Sequence, residues 1–420
     1  MDAPFRRTDH PDAQWFAQAG LGLFVHWGIS TVDGSIDLSW GMMADKPWGG
    51  GTITPERYFA LAGRFDPRRY DPERWLAAAR AAGFRYAVLT ARHHDGFALW
   101  PSEHGDFGVR HHLRGRDLVR PFVEACRRAG LKVGLYYSPP DWHWHRHHMS
   151  FRYGSTGEAG REHYGLRHEP VAVLPPEPAG FDAQYRAYVL GQALELLTGF
   201  GRIDVLFFDG GPAVLSIDEI RRLQPGIVIN PRAHGVGDYA TPECEMPAQR
   251  PSGWWELCEI WAPSCGWGYS SRHAGSSHRE YRTLGWLLSR LARVRSWGGN
   301  YLINCGPMAS GQMPPTYYRR MRELAAWMKH SAESVLDAGA GPYPEECSVP
   351  ATVQGDTWYL HALPNLESPL RIRGVSRPPR SVTLLRTGEP VRHAVRRGVL
   401  TLEPTIYVWT GLDDVFVVEW

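Results

Sequence analysis

Two short stretches carry the residues best suited to chemistry. VLTARHHDGFALW (Val88 to Trp100) ends an apolar run on Thr90 and then presents His93 and His94 side by side, followed by Asp95 and Gly96. DVLFFDGG ends an apolar run on Asp209, with Phe207 and Phe208 before it and Gly210 and Gly211 after it. Adjacent imidazoles can ligate a metal, work as an acid–base pair, or hydrogen-bond the hydroxyls of a ligand. A carboxylate at a strand end, with glycines that let a substrate carbon come close, suits a nucleophile. With a second carboxyl it would meet the needs of a retaining glycosidase, which uses one as nucleophile and the other first as acid, then as base. Candidates for the second are Glu243 and Glu245 in TPECEMP and Glu256 in GWWELCEIW.

The metal reading is tested by spacing. Barrel hydrolases that hold zinc use an HxH pair on one strand with later His and Asp ligands. Here the pair is HH, and successive strand residues point to opposite faces, so both imidazoles would reach one ion only if the strand broke there. Spacing thus weighs against one ion shared by the pair, whereas adjacent imidazoles can bond neighbouring hydroxyls without a common focus.

The elements that must position these groups follow a repeated grammar. In DPERWLAAARAAGFRYAVLT, Asp71 caps a helix, Pro72 opens it, Trp75, Leu76 and Ala79 mark one face, and Gly83 ends it before an apolar strand. RDLVRPFVEACRRAGLKVGLYYS repeats this with Val119, Phe122, Val123 and Cys126 on one face and Gly130 at the stop. A third unit is AQYRAYVLGQALELLTGFGRIDVLFFDGG, and a fourth is SIDEIRRLQPGIVIN, whose Ser216 and Glu219 form a capping box. GLGLFVHWG opens the series as a strand. Strands alternating with amphipathic helices predict an α/β fold with a parallel sheet, and no GxGxxG follows the first strand. The expected fold is a (β/α)8 TIM-like barrel over residues 1–336.

His26, His93, His94, Tyr136, Asp209 and Arg232 all fall at or just beyond the C-terminal ends of predicted strands. In such a barrel that end surrounds a common mouth and carries the active site. After Leu336 the grammar changes. AGAGPYPEE is a Gly/Pro-rich connector, and TWYLHAL, SVTLLRT, GVLTLEP and DVFVVEW read as short strands of a small antiparallel, β-sandwich-like domain over 337–420. GREHYGLRHEPVAVLPPEPAG reads as a long loop.

Composition narrows the partner. Lys and Arg number 46 against 44 Asp and Glu, a net charge of +2, so nothing favours nucleic acid or an anionic membrane. The 18 Trp, 18 Tyr and 19 His suit a neutral ligand with apolar faces and hydroxyls, such as a carbohydrate. The N-terminus has no apolar signal-like segment and no run is long enough to span a membrane, so a soluble, unexported, cytoplasmic protein is expected. Cys126, Cys244, Cys258, Cys265, Cys305 and Cys347 form no CxxC pair and are expected to be reduced structural thiols. Assembly into a homo-oligomer is left open.

Taken in order, GLFVHWG, FDPRRYDPERW, VLTARHHDGFALW, RDLV, GLYYS, DVLFFDGG, WELCEIWAPSCGWGY and WGGNYLINCGPMASG resemble glycoside hydrolase family 29, the α-L-fucosidases, over about Trp15 to Leu336. The resemblance implies a barrel, a retaining mechanism, no metal cofactor and a small fucosylated substrate. It places the nucleophile on Asp209, sugar-binding histidines on His26, His93 and His94, the strand-end tyrosine on Tyr136 and a sugar-contacting arginine on Arg232. It places the acid/base on Glu243, with Glu245 and Glu256 behind it. The aromatic that packs on the 6-deoxy methyl falls on Trp267. Family members usually carry a Glu-Trp pair after the first strand; here SIDLSWGMM supplies Ser39 and Trp40. Either Asp37 reaches the same hydroxyls or the pocket prefers a related 6-deoxy or L-sugar. Two readings from other classes stand beside it: a sugar-binding but catalytically silent barrel, and a metal-dependent barrel hydrolase.

Overall fold

Eight parallel strands form one sheet: β1 (Leu21–Val25), β2 (Tyr86–Arg92), β3 (Lys132–Tyr137), β4 (Val205–Phe208), β5 (Val228–Ile229), β6 (Tyr239–Ala240), β7 (Trp254–Ile260) and β8 (Asn300–Asn304). The computed structural model describes residues 6–47, 51–154, 162–262, 266–269, 281–364, 369–403 and 409–420. Cys265 and the centre of the Trp255 to Tyr269 motif lie outside the described residues; the other five cysteines are free thiols. No described helix is long and apolar enough to cross a membrane.

The hydrogen-bonded order is β5-β4-β3-β2-β1-β8-β7-β6, so each strand lies beside its sequence neighbour and β1 meets β8. That is the order of a TIM-like barrel. Helices α1 (Pro72–Ala81), α2 (Val119–Arg128), α3 (Phe181–Thr198), α4 (Ile217–Leu223), α5 (Leu284–Ser296) and α6 (Pro315–Ala332) cover its outside. The predicted punctuation is present. The Asp71 carboxylate accepts from Arg74 N–H at 3.2 Å, Ser216 and Glu219 cap each other reciprocally, and Gly83 takes φ +91°. The full (β/α)8 pattern is not kept, because β5 and β6 are two-residue strands joined to their successors with no intervening helix. The expected long loop before α3 contains a short antiparallel pair, His163–Tyr164 with Pro170–Val171.

Alternation sorts the strand residues into two layers. Phe24, Tyr86, Val88, Tyr136, Val205, Phe207, Val228, Cys258 and Leu302 fill the barrel interior, while Leu23, Leu89, Leu135, Leu206 and Ile303 face the helices. Both layers are almost fully buried, which is why the strands read as continuous apolar runs rather than alternating ones.

The seam between β5 and β6 carries no ladder. A carboxylate closes it instead: Asp238 Oδ2 accepts from Ile229 N–H at 2.8 Å, Asp238 N–H donates to Ile229 O at 2.8 Å, and Oδ1 accepts from Thr8 N–H and Arg221 Nη2 at 2.7 Å each. Asp238 is fully buried.

Beyond α6 the chain forms a five-stranded antiparallel sheet (Gly339–Ala340, Ala351–Gln354, Thr357–Ala362, Asp414–Glu419, Ser381–Leu384) and a three-stranded one (Arg371–Arg373, Val399–Leu402, His393–Arg396). Their facing sides share an apolar core that includes Leu360, Ile372, Leu384, Leu400 and Phe416. The other side of the larger sheet, through Tyr359, Val415 and Val417, joins the barrel's outer core. Arg295 on α5 fastens the junction by donating to the carbonyls of Val335, Gly299 and Ala338 at 2.7–2.8 Å.

Because Asp238 supplies a buried charge-assisted closure, Asp238→Ala should cost on the order of 3 kcal/mol, read as a lower urea midpoint at unchanged slope. An unchanged midpoint would mean that the seam is held by other contacts.

Candidate active site

Every strand delivers at least one polar group to one end of the barrel. Since side chains two apart on a strand point the same way, continuing the inward layer by one step gives His26 above Phe24, Asp209 above Phe207 and Asn304 above Leu302. Arg232 follows β5, Glu243 follows β6 and Trp267 follows β7. A cavity of about 160 Å³ is lined by His26, Trp40, His93, His94, Tyr136, Asp209, Arg232, Glu243 and Trp267, with Phe24, Phe207 and Cys258 below them. All nine residues selected from the sequence meet there.

The geometry centres on Asp209. Its Oδ2 accepts from Tyr136 Oη at 2.8 Å and its Oδ1 from Arg232 Nη1 at 3.0 Å, and His94 Nε2 lies 3.5 Å from Oδ2. Burial alone would push the Asp209 carboxyl up, but His94, Arg232 and Tyr136 together more than offset it and hold it below its ordinary value. The other end of the same guanidinium, Nη2, donates to Glu243 Oε2 at 2.9 Å. Arg232 therefore joins the two carboxylates, and it lies over the Phe207 ring at 5.0 Å.

Glu243 reaches the mouth because the chain after β6 runs along β7: Cys258 N–H donates to Pro242 O at 3.1 Å and Cys244 N–H to Cys258 O at 2.9 Å. Its side chain is 42 % exposed, against 24 % for Asp209. The other two carboxyl candidates lie elsewhere. Glu245 is exposed and does not line the cavity. Glu256 is fully buried near the start of β7, where it accepts from Tyr86 Oη, and burial raises its carboxyl to about 7.

The histidines are neutral acceptors and donors. Asn304 Nδ2 donates to Trp267 O at 2.6 Å, so its Oδ1 faces His26 Nδ1 at 2.8 Å and must accept from it. His26 Nε2 is then left unprotonated as an acceptor. Burial pushes His26 down to about 3 and lowers His93 and His94 as well. His93 Nδ1 lies 2.7 Å from Ser39 Oγ, and His94 Nδ1 lies 2.6 Å from Ser138 Oγ.

The strand break that would let adjacent histidines reach one point is present. The register of β2 against β3 shifts between Thr90 and Arg92 and the strand stops at Arg92, so both rings turn into the cavity with centroids 4.2 Å apart. Gly96, at φ +83°, permits the turn that follows; a Cβ there would fall on the Asp141 carboxylate. His93, His94 and Asp209 consequently bring donor atoms within 4.8 Å of one another, close enough for a metal. The Arg232 charge 3.0 Å from Asp209 opposes a divalent cation at that spot.

Arg92 points outward beneath the pair and is fully buried. It donates to Ser138 O, Pro139 O, Tyr188 Oη and Gln192 Oε1, fixing the stretch that carries Ser138. Asp37 is likewise a fastener and not a pocket residue. Its Oδ1 accepts from Trp267 N–H at 2.8 Å, and Gly266, at φ +65°, leaves the room a Cβ would take from the carboxylate. It does not stand in for the glutamate that Ser39 replaces. Ser39 is itself fully buried against His93. Trp40 packs edge-on to His94 with centroids 5.5 Å apart.

The sequence reading missed Ser138, Asn304, Phe24 and Cys258, and took Phe207 only as backing for Asp209. Ser138 and Asn304 carry the strand-end signal used for the others, and Phe24 and Phe207 sit two residues before His26 and Asp209. Cys258 carries no such signal.

Two outcomes follow. Asp37→Ala should raise KM about tenfold with kcat nearly unchanged, and Asp37→Asn, which keeps an acceptor for Trp267 N–H, should recover most of it; a kcat loss not rescued by Asn would give Asp37 a direct role. On an aryl glycoside the acid limb of kcat/KM should lie below the ordinary carboxylate value of 3.8, with none near the ordinary histidine value of 6.5. The depressed histidines also make stability decline as pH falls below 6.5, because the unfolded chain takes up protons first, so the profile is to be recorded with the fold monitored.

The alpha-L-fucosidase family model matches residues 5–333 of this chain. Human plasma alpha-L-fucosidase is 27 % identical over 362 residues, covering 82 % of this chain and 72 % of that protein. Mouse tissue alpha-L-fucosidase is 25 % identical over 358 residues, covering 77 % and 71 %. Among solved structures, alpha-L-fucosidase isoenzyme 1 from Paenibacillus thiaminolyticus superposes with a TM-score of 0.80 at 28 % identity, over 97 % of this chain and 98 % of that one. An alpha-L-fucosidase from Bacteroides thetaiotaomicron gives a TM-score of 0.78 at 21 % identity, over 98 % and 95 %, and shares the fold.

Proposed function

The chain belongs to the alpha-L-fucosidase family, and on that premise we propose that it is a retaining exo-glycosidase that removes terminal α-L-fucose by double displacement. The observation that carries the reading is the pairing of Asp209 and Glu243 on one guanidinium at the floor and mouth of a small cavity. Asp209, deeper and held anionic, attacks the anomeric carbon. Glu243, nearer solvent, protonates the departing glycosidic oxygen and then takes a proton from the water that hydrolyses the glycosyl ester. His26, His93 and His94 bond ring hydroxyls, His26 as an acceptor through Nε2. The indole of Trp267 supplies an apolar wall for the 6-deoxy methyl. A cavity of about 160 Å³ supports recognition of a single terminal sugar.

Ser39 favours a second reading for the sugar alone. A charged acceptor for a sugar hydroxyl is worth roughly 1.5–3 kcal/mol, and neither Ser39 nor Asp37 supplies one in the cavity. The same retaining chemistry on a related 6-deoxy or L-sugar would then be preferred. The His93, His94 and Asp209 cluster keeps a metal-dependent hydrolase testable.

A panel of aryl glycosides, run before and after chelation, tests all three. Fastest turnover on the α-L-fucoside, unchanged by chelator, is the expected result. A better 6-deoxy or L-configured substrate would reassign the sugar, and a loss reversed by added zinc would reassign the chemistry.

Asp209→Ala should lose activity by orders of magnitude while remaining folded, and azide should partly restore turnover by releasing the glycosyl azide of inverted configuration. Near-normal rates would end the nucleophile assignment. Glu243→Ala should slow unactivated glycosides about 100-fold or more, yet spare the first step on aryl glycosides with acidic leaving groups. Equal losses on both substrates would take the acid role from Glu243.

A further inference from the structure

We infer that the open end of the C-terminal pair of sheets is a second carbohydrate-binding site, separate from the barrel mouth and independent of the catalytic reading. Strand alternation leads to it. Leu360 and Ala362 point into the core between the two sheets, so Trp358 points the same way; Phe416 and Val418 do so on the paired strand, and Trp420 continues their column. Facing these columns, the three-stranded sheet supplies Ile372 and then Gly374. The core does not close over the two indoles. A cavity of about 300 Å³ lies there, against about 160 Å³ at the barrel mouth, and it falls at the lower end of the roughly 300–1,000 Å³ of small-molecule sites.

The ordinary alternative is a pair of tryptophans plugging the end of a sandwich. A plug would be covered and its polar atom paired. Here the rings meet edge to face with centroids 5.5 Å apart, both remain partly exposed, and the buried Trp420 Nε1 has no hydrogen-bond partner among the described residues. Gly374, at φ +74°, leaves that wall low, since a Cβ there would meet nothing within 4 Å. The rim carries Glu346, Asp356, Arg373 and Arg377, two charges of each sign. Indole faces cover the CH faces of a sugar ring while guanidinium and carboxylate groups bond adjacent hydroxyls. A rim carrying both signs, with Asp356 also paired to Arg380 at 3.4 Å, suits a neutral saccharide.

The full chain, with its barrel mouth saturated by L-fucose, is to be titrated with lactose and with N,N′-diacetylchitobiose by calorimetry and tryptophan fluorescence. Binding of at least one with Kd of about 1 mM is expected. Arg373→Ala with Arg377→Ala, both exposed side chains, should weaken it about tenfold or more, and Trp358→Ala should remove it. All variants should keep kcat/KM on 4-nitrophenyl α-L-fucoside. Failure of both disaccharides to bind at about 50 mM, or binding indifferent to both variants, overturns the site. Disaccharide binding in a chain that hydrolyses no fucoside would instead leave this site standing and remove the catalytic reading.

Discussion

A carboxylate that must stay charged where most of its water has been removed is the constraint around which this protein is arranged. Asp209 sits at the end of a buried strand, where burial alone raises its carboxyl and works against the charged form a nucleophile needs. Three groups from three other strands reverse that: the Tyr136 hydroxyl, the Arg232 guanidinium and the His94 imidazole. Each must be held within hydrogen-bonding reach, so the position of every strand end matters. Arg232 has a second task besides, because its two ends meet both carboxylates.

The same strategy recurs one layer out. Arg92 and Asp238 are fully buried and Asp37 half-buried, all three outside the cavity lining, and each spends its hydrogen bonds on backbone or polar partners of a neighbouring segment. Arg92 fixes the stretch that orients His94 through Ser138. Asp238 closes the seam between two strands too short to pair. Asp37 fixes the backbone of Trp267. A buried charge is tolerable only when its hydrogen-bonding capacity is met, so each of these groups specifies one loop geometry rather than adding general stability. Backbone amides elsewhere are satisfied by helix and sheet; where the barrel is irregular, side-chain charges do that work.

The proposed second carbohydrate site sits on the far side of the larger C-terminal sheet from the barrel. That sheet packs Tyr359, Val415 and Val417 against the barrel and turns Leu360, Phe416 and Val418 to its partner sheet. One sheet thus joins two cores, and alternation along the strand pairing Thr357–Ala362 with Asp414–Glu419 decides which residues serve which.

The amino-acid sequence by itself determined the strand and helix order as far as β5, the helix caps at Asp71 and Ser216, and the concentration of polar residues at one end of the strands. These are local properties: periodicity, turn chemistry and capping act over a few residues, and the order of a parallel barrel follows once strands and helices alternate. It also determined the types present at the site, Asp209 and eight other cavity residues. Tertiary structure alone decided three things. Both histidines turn inward because β2 shifts register and ends at Arg92, a break that depends on its pairing with β3. Glu243 rather than Glu245 or Glu256 lines the cavity because the chain after β6 rides along β7, a long-range pairing of short strands with no sequence period. Asp37 is a fastener rather than a sugar ligand because the backbone that meets it comes from some 230 residues away, and no local pattern records such a contact.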